Sequence, residues 1–131
     1  QINNQIFDMM NAIAEKRQKE AMELYYDLLT LKEPPMRILF LLARQFNLLL
    51  QVKELKKKGY PVKTIGENVG LPGFVAGKYV NQAARFSAKD LRKAVTDCVE
   101  AEEAVKTGRM NDVLSVELLL VKYSAASPEN A

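Results

Sequence analysis

Apolar residues return at steps of three and four along almost the whole chain, and no stretch sustains the every-second-residue alternation of a half-buried strand. The pattern predicts an all-α chain, and the punctuation along it supports about seven helices. A first helix covers about Ile6 to Ala14, with Ile6, Met9, Met10 and Ile13 on one face. A second, about Arg17 to Leu31, turns Ala21, Leu24, Tyr25 and Leu28 inward. Pro34 and Pro35 close the connection, because proline suits the first turn of the helix that follows. The third helix is the longest, from about Pro35 to Lys58. Gly59 ends it, and Lys56, Lys57 and Lys58 occupy its last turn, where cations complement the negative end of the helix dipole.

This third helix carries more apolar surface than one buried stripe requires. Ile38 to Leu42 is apolar all round, and Phe46, Leu48, Leu49, Leu50 and Val52 continue over more than one stripe, the pattern of a helix buried on several sides. A fourth helix, about Val62 to Val69, stops at Gly70, and a fifth runs from about Gly73 to Arg85. Ser87, with Asp90 three residues on, resembles a capping box and starts a sixth, about Ala88 to Thr107. Its stripe is Leu91, Ala94, Val95, Cys98, Ala101 and Val105, and Gly108 ends it. Asn111 or Asp112 caps the last helix, where Val113, Leu114, Val116, Leu118, Leu119, Leu120 and Val121 again exceed a single stripe. The closing SAASPENA, residues 124–131, is expected to fray.

Composition narrows the class without choosing a function. At 131 residues the chain is about one domain long, and 48% hydrophobic with 27% charged residues suits a globular domain rather than a disordered segment. A formal net charge of +3 permits a nucleic-acid partner but is too small to imply one. Cys98 has no second cysteine to pair with, and its neighbours Val95, Val99 and Ala101 predict a buried thiol in a reducing compartment. The opening QINNQIFD has neither an initiator methionine nor a basic-then-apolar signal, and reads as the start of a piece of a longer protein. The longest apolar run, Ile38 to Val52, is interrupted by Arg44, Gln45 and Asn47 and falls short of the ~20 residues a bilayer span needs. No membrane segment is expected.

Two kinds of chemistry remain to be weighed. Ile65-Gly66 followed by Val69-Gly70-Leu71 has the spacing of a helix-turn-helix, with Gly70 supplying the positive φ of a tight turn. A DNA reader also places donors and acceptors at the exposed start of its second helix. The residues there are Pro72, Gly73, Phe74, Gly77, Lys78 and Asn81, of which only Lys78 and Asn81 can make a polar base contact. Lys53, Lys56, Lys57, Lys58 and Lys63 could touch phosphates, which carry no sequence information, but a solvated helix end is the better account of them. For catalysis the chain offers no histidine, one cysteine and scattered acids, the densest being Glu100, Glu102 and Glu103 on diverging helical positions. GLPGFVAGK lacks the spacing and the preceding strand of a phosphate loop. No catalytic, cofactor or metal residue is assigned, and the surplus apolar helix surface points to protein partners.

The run EPPMRILFLLARQFNLLLQVKELKKKG, then VGLPGFVAGKYVNQAARFS, then AVKTGRMNDVLSVELLLVKY resembles the C-terminal part of the delta subunit of bacterial DNA polymerase III, a clamp-loader component. The resemblance extends from about Ile6 to Tyr123, and its weight lies in the order and spacing of the pieces. It implies an α-helical collar domain over residues 1–123, of the kind whose five copies assemble into a ring holding the AAA+ modules of the loader together. It further implies a non-ATPase subunit of the DNA-directed DNA polymerase III holoenzyme in the bacterial cytoplasm. Its partners would be the gamma/tau and delta prime collar domains, with the sliding clamp gripped through an N-terminal domain outside this chain and primer-template DNA met only indirectly. Pro61, Gly66 and Gly73 depart from the stronger helix formers usual in the family and imply weaker fourth and fifth helices. Arg109, Leu114, Leu118, Val121 and Tyr123 would face a partner or anchor the helix that does. Two alternatives stay open: Leu114, Leu118 and Val121 fill this domain's own core, and Arg109 caps the sixth helix. The competing function is a helix-turn-helix nucleic-acid binder using Lys78, Asn81, Lys56, Lys57 and Lys58.

Overall fold

A helix with apolar residues on nearly every side must be surrounded, and the third helix is. A computed structural model describes residues 1–126 and resolves them into α1 (Ile2–Ala14), α2 (Gln18–Thr30), α3 (Pro35–Lys57), α4 (Val62–Val69), α5 (Gly73–Ala84), α6 (Ala88–Lys106) and α7 (Asp112–Ser124), with no strand among them. Helix α3 packs against α1, α4, α5, α6 and α7, while α2 reaches the core through α1 and α7. Ile38, Leu39, Leu41, Leu42, Phe46, Leu49 and Val52 of α3 are all buried, each full burial contributing about 1.5–3 kcal/mol relative to exposure. Phe46 meets the rings of Phe86 and Tyr123 with centroids 6.1 and 5.9 Å away, tying the α5–α6 turn and the end of α7 to the centre of α3. The apolar belt has one gap: Phe40 faces solvent.

The helix ends follow the local signals closely. Asp90 N donates to Ser87 Oγ at 3.0 Å and Leu114 N donates to Asn111 Oδ1 at 2.9 Å, so serine caps α6 and asparagine, rather than Asp112, caps α7. Gly59, Gly70 and Gly108 each take a positive φ just past a helix. Lys16 and Lys32 hold the same left-handed conformation after α1 and α2, without glycine's freedom. Three features differ from expectation. Helix α1 begins at Ile2, four residues early, because Ile2 also packs on the core. Val99 stands on the outer face of α6, so the buried thiol of Cys98 is covered by other helices. Ser124 belongs to α7: it is fully buried and its Oγ donates to Leu120 O at 2.6 Å. The remainder of the predicted fraying tail, residues 127–131, lies outside the described residues.

The glycine of α4 is a packing requirement. A Cβ on Gly66 would sit 2.9 Å from the Cβ of Ala76 and 2.9 Å from the backbone oxygen of Leu71, so its absence lets α4 and α5 touch. Pro61 is the extended N-cap residue of α4, and Gly73 opens α5, positions where neither interrupts a helix interior. Gly77, in the middle of α5, has no neighbour within 4 Å of an added Cβ.

One buried polar knot joins three helices. Gln82 of α5 is 1% exposed; its Oε1 accepts from Gln45 Nε2 of α3 at 2.8 Å, and its Nε2 donates to Phe7 O at 3.0 Å and Asn11 Oδ1 at 2.8 Å in α1. Every buried side-chain nitrogen and oxygen among the described residues has a partner.

Gly66→Ala should lower stability by about 1–3 kcal/mol through overpacking, whereas Gly77→Ala should raise it by roughly 0.5–1 kcal/mol through helix propensity. Urea unfolding midpoints of the two variants, moving in opposite directions, are the check. Gln82→Leu, which strands the Gln45 amide and the Asn11 side-chain oxygen, should cost about 1–3 kcal/mol in the same titration.

Candidate functional site

Helix α7 is held by its backbone as well as by its side chains. Its inner residues Val116, Leu119, Leu120 and Tyr123 enter the core. Around them, α2 and the α1–α2 turn reach for main-chain oxygens: Tyr25 OH donates to Val113 O at 2.7 Å, Gln18 Nε2 to Val121 O at 3.1 Å, and Lys16 Nζ to Tyr123 O at 2.9 Å. The last two oxygens lie in the final turn of α7. Val121 O also accepts from Ala125 N, whereas Tyr123 O is past the last intrahelical bond, and the Lys16 cation there complements the helix dipole. On the other flank Ser115 Oγ donates to Ala101 O of α6 at 2.9 Å. Tyr26 OH bonds the carboxylate of Glu117.

A charged latch completes the α6–α7 contact. Asp97 Oδ2 accepts from Lys122 Nζ at 2.8 Å and Tyr123 OH at 2.6 Å. Burial pushes the Asp97 carboxyl up, but the hydrogen bonds from Lys122 and Tyr123, with the nearby positive charges, outweigh it and hold the carboxyl below its ordinary value. Burial and the Asp97 charge raise Tyr123 in turn, so its hydroxyl remains a donor. Cys98 is pushed up to about 12 by burial and by Asp97, which leaves it a neutral thiol rather than a nucleophile at pH 7.

The docking leaves an apolar stripe outside. Leu114, Leu118 and Val121, one helical face at i, i+4 and i+7, are 40–47% exposed, so they do not fill the domain's own core. Leu118 also borders a shallow groove of about 250 Å³ between α6 and α7, lined in part by Ala101, Ala104 and Met110. Tyr123 is different: it is buried, and anchors α7 rather than facing outward. Arg109 is exposed beside the α6–α7 turn, where its Nε donates to Thr107 Oγ1 at 2.9 Å. The oxygen of Ala104 is capped by the backbone N–H of Arg109, not by its guanidinium. Lys16, Gln18 and Tyr25 were the residues that periodicity missed as supports of α7. Only Tyr25, an inward position with a hydroxyl needing a partner, carried any signal.

The α4–α5 hairpin has a helix-turn-helix turn at Gly70 but a poor reading face. Phe74 is 91% exposed, and Lys78 Nζ lies 4.6 Å from the centroid of the Phe7 ring. Asn81 is exposed and borders two grooves, one shared with Lys56 of α3 and one shared with Lys78 and Arg85. Lys57 and Lys58 are exposed at the end of α3. Among the described residues no group of three or more cysteine, aspartate or glutamate side chains is placed to hold a metal ion, and no helix is long and apolar enough to cross a membrane.

Asp97→Asn should cost about 1–2 kcal/mol at pH 7 by weakening the bonds from Lys122 and Tyr123. Because the folded carboxyl is depressed, the contribution is fully present above the unfolded value near 4 and is lost as pH falls through the folded value. Parent and variant unfolding curves should therefore converge in acid, measured by denaturant titration from pH 7 down to 3.

The profile of the family described as DNA polymerase III delta subunit, C-terminal domain, matches residues 3–123. The chain is 30% identical over 129 residues to the DNA polymerase III subunit delta of Bacillus subtilis, covering 98% of this chain and 37% of that protein. Its fold superposes on the solved structure of the Bacillus subtilis DNA clamp loader delta protein with a TM-score of 0.89 at 31% identity, over 95% of this chain and 37% of the other. The chain thus spans little more than a third of the length of these relatives. With matched sequence from end to end of its seven-helix body and the all-α fold of its relatives, the chain belongs to the family of C-terminal domains of DNA polymerase III delta subunits.

Proposed function

We propose that this domain is a non-catalytic assembly module of a bacterial clamp loader. In this reading it is the helical collar through which a delta-type subunit joins a pentameric ring with gamma/tau and delta prime collar domains. The observation that carries the proposal is the stripe Leu114, Leu118 and Val121: a rigidly seated helix presents three large apolar side chains to water. Exposed apolar residues arranged as one helical face suit a neighbouring helix, and their burial in an interface returns the hydrophobic free energy that the isolated domain forgoes. The relatives' names place them in the DNA polymerase III and clamp-loader machinery, and association with other subunits of that machinery is what this surface would serve.

The whole subunit's work follows the same reading. Opening of the sliding clamp falls to an N-terminal domain outside this chain, ATP hydrolysis falls to other subunits, and the assembly acts on primed DNA in the cytoplasm. Among the described residues the chemistry agrees with this reading: there is no histidine, the single thiol is buried and neutral, and the acids are spread over helix surfaces or held in the latch.

The test is to mix the domain with purified collar domains of the other loader subunits and measure complex mass by light scattering at low and high salt. A salt-tolerant heteromeric complex is expected, because an apolar interface lacks the steep salt dependence of phosphate binding. Replacing both Leu114 and Leu118 with aspartate should weaken assembly by roughly 2–4 kcal/mol while leaving the circular dichroism spectrum unchanged, since both side chains lie outside the core. Loss of folding in the double variant, or assembly indifferent to it, would remove α7 as the interface.

A further inference from the structure

The positive charge of the molecule is concentrated at one corner. Between residues 53 and 67 five lysines stand against two glutamates, an excess of three, and the whole chain's excess is also three, so everything else is neutral in sum. Elsewhere helical charges pair at four-residue spacing, as in Lys19 with Glu23, Arg37 with Glu33 and Lys106 with Glu102. Here, among the described residues, none of Lys53, Lys56, Lys57, Lys58 and Lys63 is in an ion pair. Lys53 instead repeats at Lys56 and Lys57, like-charge spacings that destabilise a helix. The dipole at the end of α3 rewards cations in its last turn, but Lys53 stands a turn earlier and Lys63 belongs to α4.

This corner surrounds a groove of about 390 Å³ where the end of α3 faces α4 and α5. Val52, Val62 and Val80 contribute aliphatic surface, while Lys53, Lys56 and Asn81 supply cations and an amide. Lys53 Nζ makes only a long contact, 3.4 Å to Ala83 O, and Asn81 makes no side-chain hydrogen bond among those of the described residues. Gly77 keeps the α5 wall open, since an added Cβ there meets nothing within 4 Å.

We infer that this groove is a docking site for a short acidic peptide segment that places an aliphatic or aromatic side chain between α3 and α5. Carboxylates on either side of that residue meet Lys53 and Lys56, and the Asn81 amide can pair with the extended backbone of the bound segment. A nucleic acid fits the charge but not the lining, which has no aromatic side chain for base stacking and no arginine for paired phosphate contacts. The site is separate from the proposed assembly surface, because α7 packs on α1, α2, α3 and α6 and the groove is built from α3, α4 and α5. Either proposal can therefore fail alone.

The experiment is fluorescence anisotropy with a labelled peptide of aspartates and glutamates interrupted by two leucines, its leucine-to-serine counterpart, and an oligothymidylate. Nitrogen–proton correlation spectra of the parent chain locate any binding without relying on a variant. The leucine peptide should bind and shift the amide signals of Lys53, Lys56, Gly77 and Asn81. Lys53→Glu with Lys56→Glu should weaken it about tenfold, and Gly77→Leu, which fills the groove while favouring the helix, should weaken it by a similar factor. Equal binding of the serine peptide, indifference to Gly77→Leu, or shifts confined to other helices would overturn the proposal. Tighter binding of the oligothymidylate than of the leucine peptide would overturn it in favour of a nucleic-acid surface.

Discussion

The architecture rests on the burial of α3 from nearly all sides. A helix of this kind cannot be satisfied by one neighbour, so α1, α4, α5, α6 and α7 are arranged around it and most of the connections need only bring consecutive helices back to the same axis. The cost of such a centre is that polar residues on α3 must be either outside or fully bonded. Arg44 and Asn47 are outside, and Gln45 is bonded to Gln82. That single amide pair then locks the sliding of α5 along α3, and the Gln82 amide nitrogen, shared between Phe7 and Asn11, does the same for α1. Direction-dependent bonds thus supply the registry that greasy, non-directional contact leaves loose.

Much of this was legible in the order of residues. The periodicity located all seven helices, because each has an apolar face and most are bounded by glycine, proline or a capping side chain, signals that act within a few residues; the break between α1 and α2, at Glu15 and Lys16, has none of these. The crowded apolar pattern of α3 likewise pointed to a central helix. What periodicity could not show depended on who meets whom. Gly66 looked like a weak point of a short helix, and only the approach of Ala76 and the Leu71 carbonyl reveals it as the place where α4 and α5 touch. Gln82 looked like an ordinary polar residue of an amphipathic helix, since nothing in its neighbours along the chain announces Gln45, Phe7 or Asn11 far away.

The same division runs through the candidate site. Surplus apolar residues on α7 were countable, but which of them faced inward was not, because two overlapping stripes on one helix satisfy the same spacing. Packing separates them: Val116, Leu119, Leu120 and Tyr123 turn to the core, while Leu114, Leu118 and Val121 remain outside. Tyr123 belongs to the first group through a hydroxyl that reaches Asp97, a partner twenty-six positions earlier. The helix-turn-helix spacing was also real, yet spacing specifies a turn and says nothing of the side chains a reader of bases would need.

The grip of Tyr25, Gln18 and Lys16 on α7 has one further consequence. Each of the three bonds ends on a main-chain oxygen, and every amino acid carries one. The outward residues Leu114, Leu118 and Val121 can therefore be exchanged for others without altering these three bonds or the side-chain bonds of Ser115, Glu117 and Lys122. Such a helix is a socket with an interchangeable face: its seat is specified by main-chain oxygens and inner side chains, so its three outer apolar side chains are free to drift with whatever surface they come to meet.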